Sequence, residues 1–149
     1  MLEPYLKEPD VGLALDSEWS VAPGTVPGKA IGSTDAATIN QVSAYLADIV
    51  RRGRLPQKLL IVHQFTAGMV KRKPLVVNRP GLAIVYNVDG FGAPELKIGV
   101  YKHLAVPRTP PGAPRFFNGL KLFFREDTAL LAPEAVLGLR PRPDLVVYE

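Results

Sequence analysis

The sequence predicts an α/β protein whose strands run parallel, and two features of the chain support this. Short apolar runs end abruptly in polar residues, as in VGLALDSEW, which is typical of buried strands whose carboxyl ends reach a surface. Segments with helical patterns separate these runs, so strands and helices alternate as in right-handed βαβ units. The five predicted strands lie within Val11–Trp19, Lys58–Phe65, Gly81–Asp89, Leu120–Phe124 and Asp144–Glu149.

The best-defined helix follows a long loop rich in proline and glycine. Ser33 or Thr34 can cap its N-terminus, with Asp35 in the first turn. Gly53 suits the position just after its C-terminus. Apolar residues at helical spacing predict its buried stripe, which comprises Ile39, Val42, Leu46 and Ile49.

Prolines delimit the other predicted helices. A helical turn over Ala67–Lys71 stops before Pro74, because proline cannot continue a helix. Pro133 begins a short helix that extends to Leu139. Another helix begins at Pro94 and is expected to have one apolar side, formed by Leu96, Val100 and Leu104.

Length and composition indicate one globular domain over residues 1–149, with residues 1–10 as an N-terminal extension. The net charge of +4 comes from scattered basic clusters without interleaved aromatic residues, so we do not expect nucleic-acid binding. No apolar run reaches the roughly 18 residues of a membrane helix, and residues 1–10 lack a signal-peptide pattern. Cysteine is absent, which excludes disulfides, thiolate metal sites and a cysteine nucleophile.

Two observations favour part of a (β/α)8 barrel over an open nucleotide-binding sheet. No glycine-rich phosphate loop follows any predicted strand. Polar residues end four of the five predicted strands, which suits the mouth of a barrel better than a single switch point. We therefore expect about five strands of a TIM-type barrel, with the polar strand ends meeting at one site.

Six segments occur in order along the chain: LALDSEW, GSTDAATINQVSAYL, LLIVHQF, NVDGFG, LKLFFRED and VVYE. Together they resemble the C-terminal part of a mostly uncharacterised family of secreted or lipid-anchored bacterial proteins. The resemblance covers nearly the whole chain from Val11 onward. It implies a glycoside-hydrolase-like TIM barrel located outside the cell or at the cell envelope.

The resemblance also implies that three of eight strands are missing, so that Met1 would be an internal methionine or the start of a truncated reading frame. Glu149 stands where the family tends to have glutamine, which leaves the role of that position open. A partial barrel has two unpaired sheet edges and an uncovered interior. We therefore expect poor solubility or self-association of the isolated chain.

Three carboxylates are the predicted catalytic residues. Asp16 and Glu18 lie two apart on a predicted strand, so their side chains would share a face, about 6.5–7 Å apart along the backbone. Repulsion or burial would raise one pKa and give a general acid beside a carboxylate, as in glycoside hydrolysis. Asp89 ends another strand, where two glycines permit a tight turn. The structural alternatives are a loop cap, an ion pair with Lys or Arg, and a simple turn.

Other residues at strand ends are predicted to bind substrate. His63 could act as acid, base or metal ligand, or be a hydrogen-bonded core residue. Gln64 would orient a hydroxyl group, and Trp19 and Phe91 could stack on a sugar ring. The pair Glu126–Asp127 is instead expected to form a solvated turn. The predicted binding set is completed by Asn87, Tyr148 and Glu149.

The sequence thus predicts a carbohydrate-active, glycosidase-like hydrolase without a metal or other cofactor. Neither an HExxH metal motif nor a GxSxG nucleophile elbow is present. The expected ligand is a carbohydrate or another small polar molecule. Two alternatives remain, namely a non-catalytic envelope protein that binds a glycan or a partner, and a fragment without independent function.

Overall fold

The computed structural model describes residues 2–113 and 115–149. Its helices are α1 (Glu3–Leu6), α2 (Ala36–Gly53), α3 (Pro94–Leu104) and α4 (Pro133–Leu137). Its strands are β1 (Leu13–Asp16), β2 (Thr34–Asp35), β3 (Lys58–Gln64), β4 (Val70–Lys71), β5 (Leu82–Val88), β6 (Phe117–Leu122) and β7 (Leu145–Tyr148). Single 3₁₀ turns cover Ser17–Trp19, Ala67–Met69 and Lys73–Leu75.

The main sheet has five parallel strands in the order β1-β3-β5-β6-β7. This confirms the predicted α/β class with parallel strands. The five strands lie side by side in the order in which they occur along the chain. Within the described residues, β1 and β7 pair on one side only. The short strands β2 and β4 form a second, two-stranded parallel sheet.

Helix α2 matches the prediction in extent but not in its caps. Its N-cap is Asp35, whose carboxylate accepts a hydrogen bond from the Thr38 amide at 2.9 Å, and neither Ser33 nor Thr34 caps it. Its C-cap is Arg54, in the left-handed conformation, while Gly53 is the last helical residue. Of the predicted stripe, Ile39, Leu46 and Ile49 are buried and Val42 is partly exposed.

Helix α3 has the predicted bounds but a different buried face. The buried residues are Lys97, Tyr101 and Leu104, while Leu96 is 58% exposed. The predicted stripe of Leu96, Val100 and Leu104 is therefore wrong for Leu96. The physical reason is that the ammonium of Lys97 meets a buried carboxylate, which periodicity alone cannot reveal.

The other differences concern boundaries. The first predicted strand extends only to Asp16 and then turns into the 3₁₀ turn Ser17–Trp19. Strand β6 begins at Phe117 and ends at Leu122, earlier than predicted, and α4 stops at Leu137. The crossover from β3 to β5 contains 3₁₀ turns and β4 in place of an α-helix. Residues 1–10, predicted as an extension, contain α1.

All four helices contribute to cores on one face of the sheet. Residues of α1 and α2 pack with Leu60, Val62 and Ile84, and residues of α3 and α4 pack with Val88 and Leu120. Register-paired residues of parallel strands share a face, so the side chains between these positions point to the opposite side. We call that side the open face; its residues include Ala14, Leu59, Ile61, Val85, Phe117 and Val147.

The open face is largely apolar and partly exposed, with Leu59 at 44%. No helix in the described part of the chain is both long enough and apolar enough to cross a membrane.

Candidate functional site

Polar side chains of three adjacent strands align across the open face near their carboxyl ends. Asp16 of β1 pairs in register with His63 of β3, which pairs with Asn87 of β5. Asn87 in turn pairs with Gly119 of β6. We call the polar residues at this end of the open face the carboxyl-end cluster; it comprises Asp16, Glu18, His63, Asn87, Asp89, Lys121 and Glu149.

His63 and Asp89 form the closest contact of the cluster. The Nδ1 atom of His63 lies 2.8 Å from Oδ2 of Asp89, with side chains that are 15% and 9% exposed. A carboxylate can only accept, so Nδ1 carries the hydrogen of this contact, and in the neutral form of the ring Nε2 is then a lone-pair acceptor. Asp89 thus fixes both the tautomer and the orientation of the His63 ring, and the pair is equipped for proton transfer.

Asn87 is fully buried beside this pair. Its Nδ2 atom lies 3.4 Å from Nδ1 of His63, and within the described residues its Oδ1 atom has no hydrogen-bond partner. Gly119 makes room for it, because a Cβ atom at position 119 would lie 2.4 Å from Asn87 Oδ1. Oδ1 of Asp89 is also buried without a partner in the described chain. Two buried acceptors thus lie beside His63, and unsatisfied buried acceptors of this kind are rare.

Asp16 organises the turn that follows β1. One of its carboxylate oxygens accepts from the amide of Glu18 at 3.2 Å, and the other accepts from Nε1 of Trp19 at 2.9 Å. Glu18 therefore lies in a 3₁₀ turn, and the expectation that Asp16 and Glu18 lie two apart on one strand is wrong. The strand ends because the Asp16 side chain accepts a hydrogen bond from the backbone amide of Glu18, as capping aspartates do.

The loop between this 3₁₀ turn and β2 also holds the backbone of Glu18. Gly32 donates its amide to the Glu18 carbonyl at 2.8 Å. A Cβ atom at position 32 would lie 2.4 Å from that same oxygen, so only glycine allows this approach. The loop thus fixes the backbone that carries Glu18.

The carboxyl group of Glu18 has a raised pKa. Partial burial raises it first, and the negative charges of Asp16 and Asp89 raise it further. Asp16 and Asp89 therefore lie close enough to Glu18 for their charges to act on its carboxyl group. This holds although Glu18 is in a turn, because the turn packs against β3.

A buried ion pair supports the loop that carries Asp89. The Lys97 and Asp127 side chains are 1% and 0% exposed, with 3.0 Å between Nζ and Oδ1. Lys97 donates to the carbonyl of Gly90, and Asp127 accepts from the amides of Gly92 and Phe123. Burial alone would raise the pKa of Asp127, but these hydrogen bonds and the Lys97 charge lower it overall. The prediction of a solvated turn at Glu126–Asp127 is therefore wrong for Asp127.

Sequence reasoning missed the lysines of this region. Lys121 lies two residues beyond Gly119, on the open face, and forms an ion pair with Glu149. Its Nζ atom lies 4.7 Å from the ring centre of Phe123. The available signal was a lysine between two leucines of a strand, since such a residue needs a partner when its surroundings are buried.

Aromatic side chains flank the cluster. Trp19 is 55% exposed and Phe91 is 63% exposed. The Phe91 ring meets Phe123 edge to face, with 6.1 Å between ring centres. These flat apolar surfaces are of the kind that can pack against a sugar ring.

Two of the predicted binding residues lie away from the cluster. Gln64 pairs with Val88 and is buried on the helix side, where Nζ of Lys73 lies 3.4 Å from its Oε1. Tyr148 pairs with Leu122, also on the helix side, and stacks on Phe124 at the surface. Both follow the alternation of the strands, which directs neighbouring side chains to opposite faces.

Within residues 2–113 and 115–149, no group of three or more His, Asp or Glu side chains is arranged to hold a metal ion. Comparisons of the chain with protein-family models, curated proteins and solved structures found no match.

Proposed function

We propose that this protein is a glycosidase-like hydrolase whose active site is the carboxyl-end cluster. One observation carries the proposal. Adjacent parallel strands align the side chains of Asp16, His63 and Asn87, and Asp89 is hydrogen-bonded to His63. Ligands of parallel α/β proteins bind beyond the carboxyl ends of the strands, which is where these groups lie.

Glu18 is the proposed general acid. Its raised pKa keeps a larger share of the carboxyl protonated near neutral pH than an ordinary glutamate would have. It can then give its proton to the oxygen of the leaving sugar as the bond to the anomeric carbon breaks. Asp16 holds the Glu18 backbone and contributes negative charge, so it is a positioning residue in this scheme.

His63 is the proposed general base, and Asp89 supports it. Nε2 of His63 takes a proton from a water molecule, whose oxygen forms the new bond to the anomeric carbon. The Asp89 carboxylate stabilises the imidazolium that results, because Nδ1 already donates to it. Exchange of protons with solvent then returns His63 to the neutral form and Glu18 to the acid form.

The charge of the cluster indicates the substrate class. The carboxyl-end cluster contains four carboxylates, those of Asp16, Glu18, Asp89 and Glu149, and one ammonium, that of Lys121, which pairs with Glu149. A site of this sign repels phosphates and uronates, accepts neutral sugars and attracts protonated amino sugars. Trp19 and Phe91 supply exposed rings for stacking.

The test is hydrolysis of a panel of aryl glycosides by wild-type protein and by three variants, Glu18→Gln, Asp89→Asn and His63→Asn. Each variant should lose about 10²-fold or more of the activity, since each removes a proton-transfer group. Glu126→Gln is the matched control, because Glu126 is exposed, and in the described chain no side-chain hydrogen bond or ion pair joins it to the cluster. Wild-type rates in all three variants would contradict the proposal.

A second candidate function is glycan binding without hydrolysis, and the exposed Trp19 and Phe91 favour it. A binding protein would be stabilised by an oligosaccharide and would release no product. Trp19→Ala should then abolish the stabilisation while Glu18→Gln leaves it unchanged. If neither product nor stabilisation is found, both candidate functions are contradicted for the sugars tested.

We also propose that the sheet is part of the wall of a (β/α)8 barrel. The sequential strand order, the helices on one face and the apolar open face support this proposal. The isolated chain should then associate through the open face and through the edges of β1 and β7. Size-exclusion chromatography tests this, and a sharp monomer peak with a cooperative melt would contradict it.

A further inference from the structure

A cavity lies on the helix side of the sheet, away from the carboxyl-end cluster. It has a volume of about 490 Å³, within the range of small-molecule sites. It lies between the 3₁₀ turn at Lys73, strand β5, the end of α3 and the segment that follows α3. Its walls include Lys73, Tyr86, His103, Leu104, Val106 and Phe116.

Lys73 contributes an ammonium group without an acidic partner. Nζ donates to the Leu104 carbonyl at 2.8 Å and lies 4.2 Å from the ring centre of Tyr86. No carboxylate in the described residues forms a salt bridge with it, and burial is the one cause that lowers its pKa, to about 8. A partly buried cation in this state lacks compensation by a full negative charge.

Two further polar groups near Lys73 are unsatisfied. Tyr86 is 1% exposed, and within the described chain its hydroxyl has no hydrogen-bond partner. Gln64, whose Oε1 faces Lys73, has an unpartnered Nε2 in the same part of the chain. Both groups can donate a hydrogen bond, and buried donors without acceptors are rare.

We propose that this cavity binds a small organic anion, namely a carboxylate that carries an apolar group. The ammonium of Lys73 pairs with the carboxylate, and the apolar walls formed by Leu104, Val106 and Phe116 hold the remainder. The charge of Lys73 selects an anion over a neutral molecule of the same shape. This site is independent of the proposed hydrolysis, since its residues lie on the other face of the sheet.

Titration with phenylacetate, followed by NMR, tests the proposal. Phenylacetamide has nearly the same shape without the charge and serves as the neutral ligand. We expect phenylacetate to bind at least tenfold more tightly than phenylacetamide. Chemical-shift changes should be confined to His103, Val106 and Thr109, which line the cavity, and to their neighbours. Lys73→Met should weaken phenylacetate binding at least tenfold.

Lys71→Met is the matched control, because Lys71 is an exposed lysine two residues away and its substitution removes the same charge. It should leave binding within twofold of wild type. The proposal is overturned if phenylacetamide binds equally well, or if Lys71→Met weakens binding as much as Lys73→Met. Shift changes on the open face, at Leu59 or Ile61, or no saturation at about 10 mM, would also overturn it.

Discussion

At the level of single residues, three carboxylates of the carboxyl-end cluster differ in how many of their oxygens accept hydrogen bonds. Both carboxylate oxygens of Asp16 accept hydrogen bonds from its own turn. Asp89 uses one oxygen for His63 and keeps the other unpartnered within the described chain. Glu18 makes no side-chain hydrogen bond there and has a raised pKa. Residue types alone could not show these differences, because they come from the turn around Asp16 and from the contact between His63 and Asp89 on neighbouring strands.

The first prediction concerns Glu18 and the stability of the fold. Its folded-state pKa is raised above 4.5, so the folded protein binds more protons than the unfolded chain just above that pH. Ionisation of Glu18 therefore lowers the free energy of unfolding as pH rises through 4.5 towards the folded-state pKa. This loss of stability persists at neutral pH. Glu18→Gln should be more stable than wild type at pH 7, by less than about 1 kcal/mol because Glu18 is partly exposed.

Urea denaturation at pH 3 and pH 7 measures this difference. At pH 3 the two proteins should be equally stable, because both side chains are then neutral. A variant that is less stable than wild type at pH 7 would contradict the prediction.

The second prediction concerns Lys73. Burial lowers its folded-state pKa from 10.5 to about 8, so between these values the unfolded chain binds more protons and wild-type stability rises with pH. Lys73→Met lacks this rise, while Tyr86 and His103, the other titratable groups lining the cavity, are the same in both proteins. The stability of the variant relative to wild type should therefore be greatest below pH 8 and decline towards pH 10.5. Denaturation across this range measures it, and a constant difference would show that Lys73 is solvated.

The third prediction concerns the buried ion pair. Asp127→Asn leaves the ammonium of Lys97 buried without a counter-charge and should cost about 3–5 kcal/mol of stability. Glu126→Gln, at the exposed neighbouring position, should change stability by less than about 0.5 kcal/mol. Equal stabilities of the two variants, measured by chemical denaturation, would show that the pair does not hold the Asp89 loop.

At the level of elements, the sequence predicts where the longer helices lie better than what they bury. Proline at the first position and the apolar spacing place α3 at Pro94–Leu104, as observed. Its buried face was predicted incorrectly because Lys97 is buried by an ion pair with Asp127, thirty residues later. The 3₁₀ turn after β1 was missed for a similar reason, since the Asp16 side chain ends the strand.

The fourth prediction compares two glycines in neighbouring elements. Gly119→Ala in β6 places a Cβ atom against Asn87 and should cost about 1–3 kcal/mol as well as most of the proposed activity. Gly99→Ala in α3 meets open space and should stabilise the protein by about 0.5–1 kcal/mol, because alanine favours a helix. Thermal melts of both variants measure this, and a tolerated Gly119→Ala would show that Asn87 does not need its present position.

At the level of the whole molecule, strand order brings distant residues together. The alternation of apolar runs and helices was sufficient to predict parallel strands, and parallel strands direct their carboxyl ends to one edge. The side of the sheet on which each residue lies was harder to predict. A shift of one position separates His63, on the open face, from Gln64, buried on the helix side.

The central claim is that Glu18, which follows β1, and Asp89, which follows β5, belong to one site. The most direct test is NMR measurement of the Glu18 pKa in wild-type protein and in Asp89→Asn. We expect a pKa above the ordinary glutamate value in wild type and a lower one in the variant, because a neighbouring negative charge is removed. An ordinary pKa that the substitution leaves unchanged would show that the two carboxylates are not neighbours.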